Sequence, residues 1–554
     1  MIMTLLCGRF YILIAIIIPG IGAYIHIDNV TRKCAYGSIN GRLVKTVKMG
    51  HEAEIYLGVP YAQPPIGELR FKYPLPPKPW ADVYDATYER PWCIQFWYTD
   101  ERIDKRPQSE DCLYLTIYVP RPVVKGIEKA RYPVLFWVHG GSYQVGGSNA
   151  FPVQGTVDNV VSRGVVFVVI NYRLGALGFM SSLNNNLPGN YGLEDQMAAL
   201  KFVKENIEYF NGDPDSVTIG GESAGASSVG LLSASPKTKG YFHKVIIRSG
   251  SSLAPWSVRT INTDLNTDKV IAGLNCQKIK KLSLTTKNNE QYSSSDEEEA
   301  IQNENVMNCL RLLDSTDFVQ QWRAIAHEDL MMIVTKTASR PVNYNHPFLA
   351  HTYFTPVIDG YRLNESILPH YARDMARNNS KLPLMISSMT GECTGYITWL
   401  TYLEKVMNIN MQDLEYVVPS TQYANAEQVK QAVYKRYIGD ALWKSTFNYK
   451  KALVDIASDQ NFVAPIAEEA RFYVENGAPV YVYIFDHGNE DLYFKHVAHG
   501  VYDVGSSHGF DMVYLFQSTA VVDPGVDKPI KWSDMDLKVT EFLAQTLYNF
   551  VATG

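Results

Sequence analysis

The stretch Ser216-Val217-Thr218-Ile219-Gly220-Gly221-Glu222-Ser223-Ala224-Gly225 decides the fold. Its first half is β-rich, and the residues from Ala224 to Leu232 are small and apolar in the manner of a buried helix. Between them Gly221 to Gly225 match G-x-S-x-G, a sharp turn from strand to helix. The small residues let the chain turn tightly enough to hold Ser223 Oγ clear of the backbone, at the carboxyl edge of a sheet. The pentapeptide alone is moderately specific; the strand before it and the helix after it make a serine nucleophile the expected reading.

The surrounding chain has the same character. Apolar runs at Pro133 to Val138, Val165 to Ile170, Val217 to Ile219, Val245 to Ile247, Leu382 to Ser387 and Val480 to Phe485 are nearly continuous rather than alternating. Strands buried on both faces by helices have that composition. Between two of them, Met197, Leu200, Val203, Ile207 and Phe210 recur at helical spacing within Glu194 to Phe210. Strand, helix, strand order predicts an α/β fold with a mostly parallel sheet. A serine nucleophile also needs N–H donors for the oxyanion. Ala224, which follows it, supplies one, and His139-Gly140-Gly141-Ser142 stands just after a predicted strand, where Gly141 and Ser142 would supply others.

Composition narrows the function. The chain has 554 residues, 46% hydrophobic and 19% charged, and a net charge of -6. That suffices for a large core, excludes a wholly disordered chain, and lacks the basic footprint of a nucleic-acid binder. Length alone suggests three or four domains. Gln277 to Asn308 is rich in Lys, Asn, Ser and acid, and is expected to be a disordered acidic insertion.

The first residues read as a targeting segment. Arg9 precedes an apolar run from Phe10 to Ile18, then Pro19, Gly20, Gly22 and Ala23, the order of a secretory signal peptide over residues 1–23. A membrane anchor would have to carry Pro19 and Gly20 in mid-span. The mature chain is therefore expected to be secreted, with no stable membrane span. Once Cys7 leaves with the signal, Cys34, Cys93, Cys112, Cys276, Cys309 and Cys393 stand in an oxidising compartment, and spacing does not choose among their pairings. Asn29, Asn364 and Asn378 begin glycosylation triplets.

A collinear series then carries a resemblance. Glu110-Asp111-Cys112-Leu113-Tyr114-Leu115, Asn171-Tyr172-Arg173-Leu174-Gly175, Gly189-Asn190-Tyr191-Gly192-Leu193, Gly212-Asp213-Pro214 and Gly220 to Gly225 occur in the order of the type-B carboxylesterase and cholinesterase family of α/β-hydrolases. The chain resembles that family from about Gly37 to its end. The resemblance implies one α/β-hydrolase domain over 24–554, a large mostly parallel sheet flanked by helices, and a secreted serine carboxylesterase acting on a small carboxylic ester through an acyl-enzyme. It implies no cofactor and no nucleic-acid partner.

The same resemblance implies a Ser, Glu, His triad. Glu392 lies in the segment resembling the family's acid loop, and His508, followed by Gly509, Phe510 and Asp511, resembles its histidine better than the nearby His499 or His496. It also implies disulfides Cys93 to Cys112 and Cys276 to Cys309 and ion pairs Arg70 to Glu110 and Arg173 to Asp195; Cys34 and Cys393 are left over. His487, Glu490, Asp491, His496 and His499 lack regular metal-ligand spacing, so no metal is expected.

Departures from the family shape the expectation. Ser142 stands where most catalytic members have Gly, and Gly-Gly-Ser-Tyr resembles the neuroligins, adhesion relatives that lack the nucleophile. The alternative is thus a weakly active or inactive adhesion protein with a protein partner. A positive φ at Ser142 would strain the oxyanion turn. Trp97 falls too early in its loop to match the choline-stacking Trp of cholinesterases. Ala350 and Thr352 stand where acetyl-selective members carry Phe, so acyl groups larger than acetyl are expected, with Trp256 on the acyl side. Glu222 stands where juvenile-hormone esterases usually carry Gln. The ending Asn549 to Gly554 resembles a point after which the family continues, so a truncated C-terminus is expected.

Overall fold

The computed structural model describes residues 24–96, 106–121, 131–183, 186–259, 263–276, 295–334, 354–359, 366–394, 425–439, 449–488, 505–518 and 530–554. Expectations for the leader 1–23, Trp97, Ala350, Thr352, Asn364, His496 and His499 lie outside these residues.

Among the described residues, ten strands build the central sheet: β1 (Tyr24–Cys34), β2 (Gly37–Thr46), β3 (Glu52–Pro60), β4 (Tyr114–Pro120), β5 (Tyr132–Val138), β6 (Val166–Ile170), β7 (Gly212–Glu222), β8 (Lys244–Arg248), β9 (Leu384–Met389) and β10 (Val480–Phe485). Their spatial order is β1-β2-β3-β4-β6-β5-β7-β8-β9-β10, with a short eleventh strand, Tyr84–Asp85, on β2. From β6 onward every neighbouring pair is parallel. The N-terminal strands pair antiparallel, as does β4 with β6. The strand and helix order anticipated an α/β fold with a mostly parallel sheet, which the structure has, and the resemblance implied the α/β-hydrolase arrangement of it.

Alternation within the apolar runs divides them between two cores. Val134, Phe136 and Val138 of β5 and Val166, Val168 and Ile170 of β6 face one core. Leu135, Trp137, Phe167 and Val169 face the other. Each fully buried branched side chain contributes about 1.5–3 kcal/mol, so covering both faces is what stabilises such strands. Helices α1 (Tyr191–Asn206) and α2 (Ala224–Ala234) cover the first face, through Leu200, Val203, Val229 and Leu231. On the other face lie α6 (Phe510–Phe516) and α7 (Asp534–Thr553), through Met512, Leu515, Leu547 and Phe550. Helix α3 (Ser295–Leu312) follows Cys276, α4 (Tyr449–Ser458) and α5 (Ala464–Glu475) precede β10, and Ser533 caps α7 with a capping box to Asp536.

Two expectations are corrected, and one part of the sheet is new. The acidic insertion is not loop throughout: from Ser295 the chain is helix α3. Strand β10 is not buried on both faces. It is the sheet's edge, with Tyr481, Val482 and Ile484 exposed, because among the described residues only β9 pairs with it. Strands β1 to β4, at the other end, belong to the same sheet although no early run announced them.

The disulfides Cys93–Cys112 and Cys276–Cys309 are formed, and Cys34 and Cys393 are buried free thiols. Arg70 Nε donates to Glu110 Oε2 at 2.7 Å, and Arg173 Nη2 to Asp195 Oδ1 at 2.7 Å. Asn29 and Asn378 are exposed.

Candidate active site

The parallel strands end together. Gly221 is in register with both Val138 and Ile247, and Glu222 with Arg248, so Ser223 stands one residue beyond the paired end of β7. Its φ of 58° and ψ of -124° are a conformation few side chains accept, tolerated because the surroundings hold it. Ser223 N–H donates to Arg248 O at 2.9 Å, and Ser223 O accepts from Ser227 N–H in the first turn of α2. The two glycines of the motif provide close approach: a Cβ on Gly225 would lie 2.1 Å from Val138 O, and one on Gly221 2.5 Å from the Gly225 carbonyl carbon.

The turn after β5 comes against Ser223. A Cβ on Gly140 would meet Glu222 Oε2 at 2.6 Å and Ser223 Cβ at 2.9 Å, so only glycine fits there. Gln144 and Val145 N–H groups close the turn on Gly141 O at 2.9 and 3.0 Å. Gly141 has φ 106°, and Ser142 and Tyr143 have φ 57° and 62°. Two consecutive non-glycine residues with positive φ store strain of about 1–3 kcal/mol each. Tyr143 offsets part of it: its ring is fully buried, its hydroxyl donates to Ser227 Oγ at 2.7 Å, and its carbonyl accepts from Gly175 N–H. His139, stacked on Tyr172, is held neutral by burial, its pKa lowered to about 4, and its Nδ1 binds Gly140 O at 2.7 Å.

Glu392 follows β9 by three residues and is fully buried. Its Oε1 accepts from Met389 N–H at 2.8 Å and its Oε2 from His508 Nδ1 at 2.7 Å. Two further bonds tie the acid turn to the histidine loop: Gly391 N–H to Ser506 O, and Ser506 N–H to Thr390 Oγ1, both at 2.9 Å. The other imidazole nitrogen, Nε2, lies 3.2 Å from Glu222 Oε1. His508 thus stands between two carboxylates. Burial works against its charged form, but Glu222 and Glu392 outweigh it and raise its pKa above the ordinary imidazole value. Burial also pushes the Glu222 carboxyl upward, against the pull of His508.

Several site residues escaped the sequence reading. Arg248 Nη1 lies 3.2 Å from Asp511 Oδ2, both fully buried, and Tyr483 OH donates to the same oxygen at 2.7 Å. This pair fastens β8, the strand beside Ser223, to the helix that follows His508. Phe462 packs its ring on His508 with centroids 4.8 Å apart, and Trp256 packs on Phe462 at 5.6 Å. The Asp511 spacing was noted as part of a resemblance; nothing in one sequence marks Arg248 as its partner or Phe462 as a neighbour.

A strained serine between strand and helix, with a histidine and a buried carboxylate converging from later strands of the same sheet, defines an α/β-hydrolase active site. The carboxylesterase family model matches residues 28–554. The chain is 31% identical to gut esterase 1 of Caenorhabditis briggsae, over 88% of this chain and 80% of that one. It is 30% identical to human carboxylesterase 5A, over 82% and 70%, and 28% identical to the juvenile hormone esterase of Tribolium castaneum, over 94% and 82%. The chain belongs to the carboxylesterase family and is a carboxylic ester hydrolase.

Proposed function

We propose that the protein is a secreted serine carboxylesterase that hydrolyses small carboxylic esters through an acyl-enzyme, with Ser223 as nucleophile, His508 as general base and Glu392 as its orienting acid. The observation that carries this reading is the 2.7 Å bond from His508 Nδ1 to the buried Glu392, beside the strained turn at Ser223. A serine hydroxyl is scarcely ionised near neutral pH, so His508 takes its proton as Oγ attacks the ester carbonyl and returns it to the departing alcohol. Glu392 fixes the imidazole tautomer and stabilises the imidazolium without taking the proton. The N–H groups of Gly141, Ser142 and Ala224 bind the oxyanion, each worth on the order of 3 kcal/mol. Water then deacylates the enzyme by the same route.

Secretion is supported by the leader pattern and by two disulfides in one chain. Exposed Asn29 and Asn378, with Asn364, are the proposed glycosylation sites. Ala350, Thr352 and Trp256 form the proposed acyl side, and faster turnover of p-nitrophenyl butyrate than of the acetate is expected; equal or slower turnover would count against it. One observation favours the adhesion alternative, the positive φ of Ser142, which strains the turn meant to hold the oxyanion. A burst of p-nitrophenol, abolished in Ser223→Ala, together with organophosphate labelling mapped to Ser223, supports the esterase. Absence of both would leave a binding protein.

A further inference from the structure

The helix pair α4 and α5 is one continuous helix with a flaw in it. Residues Asp459–Val463 form a π-helical turn, marked by the Ala464 N–H bond to Asp459 O, five residues back. Pro465 explains its position. A proline has no N–H to give the carbonyl four residues before it, and its ring clashes with that carbonyl. The carbonyl concerned is Asn461 O, and it is satisfied from outside the helix, by Trp256 Nε1 at 3.0 Å. Single widened turns of this kind occur frequently at functional sites.

Three contacts run from this turn and its entrance toward the active site, and each reaches a different part of it. Trp256, on the proposed acyl side, is held through Asn461 O. Ser458 Oγ, at the turn's entrance, accepts from Cys393 N–H at 3.0 Å, which fixes the residue after Glu392. Phe462, within the turn and nearly buried, lays its ring on the imidazole of His508. The far side of the turn is anchored too, since Ser251 Oγ donates to Pro465 O at 3.2 Å and to the buried Glu469.

We infer that the proline-induced π turn at Asp459–Val463 is the positioning device of this active site: Phe462 holds the His508 ring toward its reacting partners, and the Trp256 to Asn461 bond joins the acyl side to that base. Phe462 is a positioning residue, since it acts through His508 and not on the ester. The inference rests on the reading of His508 as the base. A regular α-helix here would rotate Phe462 away from the imidazole and leave the Trp256 indole without its acceptor.

The test uses Phe462→Ala, Phe462→Leu and Pro465→Ala in the full chain, with active sites counted by organophosphate titration and Ser223→Ala as the control. Misplacing a base by a fraction of an ångström is costly, so Phe462→Ala is expected to lose at least about tenfold in kcat per titrated site, with KM changed less than about threefold. Leu, which refills most of the space, should recover kcat to within about threefold. Pro465→Ala should keep or raise the melting temperature, because Ala is the better helix former, yet lose about fivefold or more in kcat and change the butyrate to acetate ratio. Proton NMR reads the site without turnover: the low-field Nδ1–H signal, assigned by its loss in His508→Gln, should persist in Phe462→Leu and broaden or vanish in Phe462→Ala. Unchanged kcat in both Phe462→Ala and Pro465→Ala, or an unchanged Nδ1–H signal in Phe462→Ala, overturns the inference. Hydrolysis that survives Ser223→Ala instead overturns the catalytic reading, which the NMR result does not depend on.

Discussion

Glu222→Gln tests the electrostatics of the site in one substitution. Glutamine keeps the shape beside Ser223 and removes the charge 3.2 Å from His508 Nε2. At that separation the attraction is about 1 kcal/mol in a water-like medium and about 5 kcal/mol at an effective dielectric near 20. Because one pKa unit is about 1.4 kcal/mol, the imidazolium should lose about 1 to 4 units of stabilisation. The sign follows from the geometry: a nearby carboxylate favours the protonated ring, so removing it lowers the pH at which His508 becomes a base. In the wild type the acidic limb of kcat/KM should lie above the ordinary imidazole value of 6.5, and in Glu222→Gln it should move to lower pH. The assay is kcat/KM for p-nitrophenyl butyrate from pH 5 to 9, corrected for spontaneous hydrolysis and scaled to titrated sites. A limb that stays in place, or moves upward, would refute the argument that Glu222 stabilises the charged ring.

Other substitutions probe the surrounding frame. Gly140→Ala sets a methyl group against Glu222 and Ser223 and should reduce kcat/KM by about a hundredfold while phosphonylation of Ser223 slows in parallel; normal activity would mean that the turn yields freely. Ser142→Gly removes the strain of φ 57° but also frees the unfolded chain, which offsets part of the gain, so the denaturant midpoint should rise by an amount equivalent to about 1 kcal/mol, whereas a lowered midpoint contradicts the strain. Arg248→Met leaves Asp511 buried without its cation and should cost about 3–5 kcal/mol in unfolding free energy; a loss below about 1 kcal/mol would show the pair to be dispensable.

The parts of this molecule that were legible in the sequence are those whose signal is local. A strand buried on both faces needs no partner to announce itself, which is why β5, β6, β8 and β9 were read within about two residues of their ends, whereas only the apolar centre of β7 was read and its polar start, Gly212 to Asp215, was not. The sharp strand-to-helix turn at Ser223 was legible because its glycines are demanded by contacts as short as that between Gly225 and Val138. Strand β1 was not, because Asp28, Asn29, Arg32 and Lys33 lie on a surface where polar residues cost nothing. Glu392 and His508 were found by resemblance, since a carboxylate and an imidazole 116 residues apart carry no mark of their bond in spacing. Arg248, Asp511 and Phe462 belong to the same class of long-range fact: each is an ordinary residue locally, and its meaning comes from what the fold sets beside it. The strain at Ser142 could be named as a condition in advance, but its sign required the backbone.

The exposed edge strand β10 bears on how the protein will wear out. Phe485, its last residue, takes the N–H of Thr390 at 3.1 Å, and Thr390 is two residues from Glu392. A sheet frays from an edge, where one neighbour instead of two holds each residue, and among the described residues β10 has only β9. Here that edge leads directly into the acid turn. Warming or mild denaturant should therefore silence the enzyme by loosening one margin while both cores are still packed, and brief damage of that kind would be repaired by re-zipping β10 onto β9 rather than by refolding the chain.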